Sequence, residues 1–305
     1  MKEVQWLIID WGTTNFRAFA IGLNDELLDT IELKRGLLNI KREDFQSELK
    51  NILSRWLSNY HDLPIYMAGM VGSAQGWVNV PYVETPVLIN DLINNRIELD
   101  LPWGSTAYFI PGISYERKDG CFDVMRGEEV QLFGLQSLHQ EKNCIAIFPG
   151  THSKHIVIIN NKVECFSTFM TGELYSILSE YSILGKELPE QISSTFAFKK
   201  GIKDSGGSDF TSKLFLVRTN RLFSILKEHE VLEYLSGLLI GQELKTLKSE
   251  SVYLVGGELL CQRYAQACEI LNIKTTILSG DEAFLTGMFQ IKKVMTNEKS
   301  KLQLM

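Results

Sequence analysis

Gln5-Trp6-Leu7-Ile8-Ile9 is an apolar run of strand length, and Asp10-Trp11-Gly12-Thr13-Thr14-Asn15 closes it with a tight polar loop. Outward from this stretch come a second strand-like run, Phe16 to Ile21, a turn at Asn24-Asp25, and a third run, Leu27 to Leu33. From Asp44 to Tyr60 the residues Phe45, Leu49, Ile52, Leu53, Trp56 and Leu57 recur on one face, which predicts a helix. Ile65-Tyr66-Met67-Ala68-Gly69 then reads as a strand ending in glycine.

The second half repeats the plan. Cys144 to Phe148 is a short apolar run, Pro149-Gly150-Thr151-His152-Ser153 is its loop, and Ile156 to Ile159 is the returning strand. Asn160-Asn161 suits a hairpin turn before a third strand, Val163 to Phe166. A helical pattern runs from Glu173 to about Leu184, and Val252-Tyr253-Leu254-Val255-Gly256-Gly257 is again a strand ending in glycine. The expected fold is α/β: two domains on one β-β-β-α-β plan, residues 1–140 and 141–305, each a mixed sheet flanked by helices. Between the paired segments, 185–220 reads as a helical insertion around a loop at Gly206-Gly207-Ser208-Asp209, and 222–247 reads as helix. Ser279-Gly280-Asp281-Glu282 has capping-box spacing before a final helix, and the tail from Lys293 is polar and expected to fray.

Composition limits the function classes. The chain has 305 residues, 45% hydrophobic and 22% charged, with a formal net charge of −6, values that fit a soluble two-domain protein. A mildly acidic chain lacks the basic face that nucleic acid requires. No apolar run approaches the roughly 20 residues that span a bilayer. Five scattered cysteines, with no C-x-x-C pair, read as reduced thiols rather than a zinc site. A cytoplasmic enzyme without nucleic-acid or membrane partners is the expectation, and a homodimer is only the default for such a protein.

The loops carry the chemistry. A strand–loop–strand with small hydroxylated residues at the bend suits phosphate: Gly12 and Gly150 let the backbone approach, and the N–H groups of Gly12, Thr13 and Thr14 can form an anion-binding nest. Asp10 at the strand end can hold Mg²⁺ through water. The Gly256-Gly257 bend, which opens a helix carrying Leu259, Leu260 and Tyr264, lets a flat base lie against backbone. There is no Walker A loop and no dinucleotide fingerprint.

Asp10 to Arg17, Pro149 to His155 and Leu254 to Tyr264 resemble the two phosphate motifs and the adenosine motif of the actin-like ATPase superfold, in which a cleft separates two ribonuclease H-like domains. Four strings are more specific. Asp-Trp-Gly-Thr-Thr-Asn-Phe-Arg (10–17), Gly-Met-Val-Gly-Ser-Ala-Gln-Gly-Trp (69–77), Asp-Val-Met-Arg-Gly-Glu-Glu (123–129) and Pro-Gly-Thr-His-Ser-Lys-His (149–155) resemble the 2-dehydro-3-deoxygalactonokinase family. That resemblance implies ATP-dependent phosphorylation of 2-dehydro-3-deoxy-D-galactonate at O6, in galactonate breakdown.

Such a kinase needs a base, a magnesium clamp, γ-phosphate donors and a cationic handle for the substrate carboxylate. In related carbohydrate kinases a Gly-Asp pair opens a helix just before the second phosphate loop, and the Asp is the base. Here the pair is Gly127-Glu128, which makes Glu128 the first candidate and leaves Glu129 and Asp123 open. Asp10 is assigned a catalytic role through the metal. Arg17, or Arg126, would grip the carboxylate. Ser73 and Gln75 would bond sugar hydroxyls, and Trp77 would stack on the ring. Gly12, Thr13, Thr14, Gly150, Thr151, His152, Ser153, Lys154, Gly256 and Gly257 would hold ATP. Three other readings stay open: a kinase for another sugar or sugar acid, an ATP-sensing actin-like protein without catalysis, and a phosphohydrolase.

Overall fold

The computed structural model describes residues 3–302. The run at 6–11 becomes the central strand of its sheet: β1 (Trp6–Trp11) has Leu7, Ile8 and Ile9 fully buried, as a strand covered on both faces requires. A four-residue loop turns it into β2 (Phe16–Ile21), antiparallel to it, and β3 (Leu27–Leu33) follows at the edge. Helix α1 (Phe45–Trp56) buries Phe45, Leu49, Ile52 and Leu53 against the sheet and stops before the expected Tyr60, because Leu57 is extended. The chain returns as β4 (Ile65–Ala68), parallel to β1 on its other side. After β5 (Val83–Glu84) and α2 (Ile89–Asn94), β6 (Ile97–Asp100) and β7 (Thr106–Phe109) complete the order β3-β2-β1-β4-β7-β6. A small sheet, β5-β8-β9, is formed with β8 (Ile113–Glu116) and β9 (Phe122–Met125), and β9 leads into α3 (Glu128–His139).

The second sheet has the same order. β10 (Cys144–Phe148), β11 (Ser153–Ile159) and β12 (Lys162–Phe169) are its first three strands, and β13 (Ser251–Gly256) and β14 (Lys274–Ser279) run parallel to β10 on the other side, in the order β12-β11-β10-β13-β14. Asn160 and Asn161 both take the left-handed conformation (φ 52° and 65°) that a two-residue hairpin turn requires. α4 (Thr171–Tyr181) starts two residues earlier than the sequence pattern suggested. The 185–220 segment is helical around a glycine loop: α5 (Thr195–Asp204), α6 (Phe210–Leu214) and α7 (Leu216–Leu222). Helix does not begin at 222, where α7 ends; α8 (Val231–Leu244) follows an eight-residue break at 223–230 that includes Leu226 in the core. α9 (Glu258–Ile270) joins β13 to β14, and α10 runs from Gly280 to Leu302, so the polar tail continues the helix where fraying was expected.

Two compact units result. One comprises Met1–Asn143, Ile158–Cys165 and Asp281–Met305, and the other Cys144–Val157 and Phe166–Gly280. The last helix belongs with the first unit: Phe289 packs edge-on to Trp6 at 5.7 Å, and α3 and α10 cross in backbone contact at Gly134 and Gly287, where a Cβ would lie within 2 Å of a carbonyl oxygen. Among the described residues no helix is long and apolar enough to cross a membrane.

Candidate active site

The first loop is held from behind. Gly12 N–H donates to the Asn15 carbonyl at 2.9 Å, while the carbonyls of Gly12, Thr13 and Thr14 accept from Leu37, Leu38 and Gly36. Thr13 and Thr14 are exposed, and neither their N–H groups nor their hydroxyls bond to any described residue. Of the nest expected from Gly12 to Thr14, the Gly12 amide is therefore closed internally, and two amides with two hydroxyls face outward.

Asp10 ends β1, and the four-residue loop sets Arg17 directly across from it in the hairpin register. Arg17 donates from Nη2 to Asp10 Oδ2 at 2.7 Å and from Nε to the same oxygen at 3.2 Å, and its Nη1 donates to Asp281 at the start of α10. Arg17, expected to grip the substrate carboxylate, is here bonded to two carboxylates of the protein. Burial raises the Asp10 carboxyl above the ordinary range; Arg17 opposes this, and Asp281 adds to it. Asp10 Oδ1 bonds to no described residue and faces Gly69, where an added Cβ would come within 3.0 Å of it.

Gly69 (φ 91°) and Gly127 (φ 110°) both need the left-handed region, and they abut: a Cβ on Gly127 would sit 3.7 Å from the Gly69 Cα. Through this pair the end of β4 brings Asp10 beside the start of α3, where Glu128 is the first residue. Glu128 is half-buried and accepts from the Arg126 N–H at 3.2 Å. Glu129 is fully buried, accepts from the Gly127 N–H at 2.6 Å, and keeps Oε1 without a partner. Burial, and then the charge of Glu128, push its carboxyl up to about 8. A carboxyl sealed from solvent cannot meet a substrate hydroxyl, so Glu129 leaves the list of candidate bases. Asp123 is half-buried on β9, where it accepts from the adjacent Val124 N–H.

Arg126 donates from Nη2 to the Val80 carbonyl at 2.8 Å, lies 4.4 Å over the Tyr82 ring, and has buried Nε and Nη1 donors with no partner among the described residues. Its Nη1 lies against Gly72, and the next residue, Ser73, has a buried hydroxyl that is also unpartnered. Gln75 is exposed. Trp77 is different from its expectation: its ring stacks on Phe45 at 6.3 Å and meets Phe109 edge-on at 5.5 Å, so it is a wall of the core rather than an open platform for a sugar.

In the second unit, Gly150, Thr151, Thr171, Gly172, Tyr175, Leu259, Leu260, Arg263 and Tyr264 line one cleft of about 640 Å³. Gly256 lies beside Pro149, and a side chain at Gly150 or Gly257 would meet open space. The N-terminus of α4 closes onto the loop: Glu173 N–H donates to the Thr151 carbonyl at 3.0 Å, and a Cβ on Gly172 would stand 2.5 Å from the Gly150 carbonyl oxygen, so only glycine fits. The open amide end of a helix beside a Gly-Thr loop is a natural seat for phosphate. His152 is exposed and pairs with Glu173 at 2.5 Å. Ser153 and Lys154 turn inward instead of toward the loop: Ser153 donates to buried Glu243 at 2.7 Å, and Lys154 to Thr168 at 2.8 Å. Their expected side-chain contacts with phosphate are corrected accordingly. Sequence reading missed Glu243, Thr171, Gly172 and Asp281. A Thr-Gly pair directly after a strand was the available signal for the α4 end.

The duplicated strand order, with a Gly-Thr loop after the first strand of each sheet, is that of the actin-like ATPase, or sugar kinase, superfold. Comparison narrows the class. Residues 10–291 match the model of the 2-keto-3-deoxy-galactonokinase family. A 2-dehydro-3-deoxygalactonokinase of Escherichia coli K12 is 31% identical over 299 residues, 96% of this chain and 99% of that protein. A crystal structure of a Sinorhizobium meliloti protein assigned the same activity superposes with a TM-score of 0.88 at 30% identity, covering 95% of this chain and 99% of the other. The chain belongs to the 2-keto-3-deoxy-galactonokinase family of sugar-acid kinases.

Proposed function

We propose that this chain transfers the γ-phosphoryl of ATP to O6 of 2-dehydro-3-deoxy-D-galactonate, as a cytoplasmic step of galactonate breakdown. The observation that carries the reading is the juxtaposition of Asp10, Gly69, Gly127 and Glu128, with the unpartnered Arg126 donors near the same helix start. Glu128 is the base: half-buried at a helix N-terminus, it takes the hydroxyl proton as attack proceeds. Glu129, neutral beneath it, leaves the local charge to Glu128.

Arg126 is the handle for the carboxylate, because a guanidinium with two buried donors and no acceptor is satisfied by an anion. Ser73 and Gln75 take sugar hydroxyls. Arg17 positions Asp10, and the free Oδ1 of Asp10 suits a water-mediated hold on Mg²⁺, which would neutralise phosphate charge when bound. Thr13 and Thr14 of the first unit are donors for phosphate oxygens, as are Gly150, Thr151, His152 and the α4 N-terminus of the second. The adenosine moiety occupies the cleft beside Gly256, Gly257, Leu259 and Leu260. The acceptor functions fall to residues 1–140 and the nucleotide functions mainly to the second half.

The test is coupled ADP release with Mg-ATP, with and without 2-dehydro-3-deoxygalactonate, its gluconate epimer and plain hexoses. The account expects release that depends on the galactonate derivative and a phosphate on O6 of the product. Stimulation by another acid alone would reassign the substrate. Release without any acceptor would make the protein a phosphohydrolase.

A further inference from the structure

Helix α8 is apolar on nearly every face, yet its last turn carries Glu243, 2% exposed. An ionised carboxylate in such a place costs several kcal/mol unless it is paired and hydrogen-bonded. Four groups meet it. Oε1 accepts from Ser153 Oγ at 2.7 Å and lies 2.7 Å from His155 Nε2. Oε2 accepts from Tyr264 OH at 2.8 Å and from Thr171 Oγ1. Burial and the neighbouring carboxylate both raise the Tyr264 phenol, so it stays a donor.

The sources of these partners are what matter. Ser153 and His155 open β11, directly after the second phosphate loop. Thr171 is the first residue of α4, and the residue after it, Gly172, presses on Gly150. Tyr264 is on α9, the helix that follows the Gly256-Gly257 bend. Helix α8 itself lines the cleft through Glu233, Ser236, Leu239 and Ile240, and the other three elements that shape it are thus tied to one carboxylate of α8 that does not itself line it. A hub needed only to hold the core together would be met more cheaply by an apolar side chain, as α8 uses at Leu235, Leu238 and Leu244.

We infer that Glu243 is a positioning residue for nucleotide binding: it fixes the loop, the α4 N-terminus and α9 in the register that receives the phosphates and the adenosine. The inference rests on the assignment of this cleft to ATP. Glu243→Gln exchanges one acceptor oxygen for a donor, so the hydroxyls on that side must turn and the three elements lose their common anchor.

The experiment is titration of wild type and Glu243→Gln with ADP by calorimetry, alongside initial-rate kinetics in ATP and in the sugar acid. The expected result is an ADP Kd raised about tenfold or more and a raised KM for ATP, with the KM for the sugar acid moved less than about twofold. A folded Glu243→Gln protein that binds ADP within about twofold of wild type, or that shifts both KM values equally, overturns the proposal. Should Glu243→Gln fail to fold, His155 decides. His155→Leu should weaken ADP binding at least about threefold, and His155→Gln, which keeps a donor, should restore it; equal binding by the two overturns the proposal. Wild-type protein that does not bind ADP overturns the reading of the cleft and the inference with it.

Discussion

The two Gly-Thr loops are built on the same strand order and serve different ends. Counting back from the glycines, Asp10 and Trp11 of the first loop correspond to Phe148 and Pro149 of the second, and Arg17 corresponds to His155. In the first unit the charged pair faces the site: Asp10 keeps an oxygen free, and Arg17 holds it in place. In the second unit the strand end is apolar, and the polar residues after the loop turn inward to Glu243. One copy presents charge for chemistry, and the other uses its polar groups to shape a cleft. A duplicated scaffold can therefore divide labour by changing which side of the sheet its strand-end residues face.

This difference can be broken at several points. The largest effect is expected at the chemical half: Glu128→Gln and Asp10→Asn should each lower kcat by about 10²–10⁴-fold. ADP affinity should hold in Glu128→Gln, so calorimetry beside single-turnover kinetics checks the claim. Loss of ADP binding in Glu128→Gln would erase the distinction between the loops.

Gly172→Ala should do the reverse. The new Cβ meets the Gly150 carbonyl, so α4 must back away from the loop, at a cost of about 1–3 kcal/mol, read as roughly tenfold or more in ADP affinity. A pulse titration with the sugar acid should show its binding little changed.

The smallest effect concerns Glu129. Its carboxyl, raised by burial, keeps its proton in the folded protein through a range in which the unfolded chain has already released it. Folding therefore takes up a proton between the ordinary value of 4.5 and about 8, and stability falls as pH rises through that window. Glu129→Gln should remove this component, flattening the urea-derived stability by up to about 1.4 kcal/mol per pH unit relative to wild type. Parallel profiles would show that Glu129 is ionised in the fold.

Much of this frame was legible in the sequence, and the reasons are local. The 3.6-residue pattern of α1, the Asn160-Asn161 turn and the two strand–loop–strand units are short-range features, and they gave both sheets their first three strands. The Asp10–Arg17 pair was not read from the sequence, although the four-residue loop places residues 10 and 17 opposite each other. The second partner of Arg17, Asp281, was not legible because it is 264 residues away. Glu243 was hidden for the same reason: its contacts with Ser153 and Thr171 span 90 and 72 residues, and an apolar helix with one glutamate near its end looks like an ordinary exposed terminus. The packing of Trp77 on Phe45 and Phe109 was not legible because an aromatic residue in a glycine-rich loop gives no sign of which ring it will pack against. Helix ends shifted by a few residues where the core, rather than propensity, set the stop.

The most direct test of the division between the halves is two-substrate steady-state kinetics on Arg126→Gln and Gly172→Ala, measured side by side. Arg126→Gln should raise the KM for the sugar acid by roughly 10- to 100-fold, as loss of a charge-assisted contact implies, and leave the KM for ATP in place. Gly172→Ala should raise the KM for ATP and spare that for the acid. If both variants shift the same KM, or each shifts both, the two loops do not divide the substrates and the account is wrong.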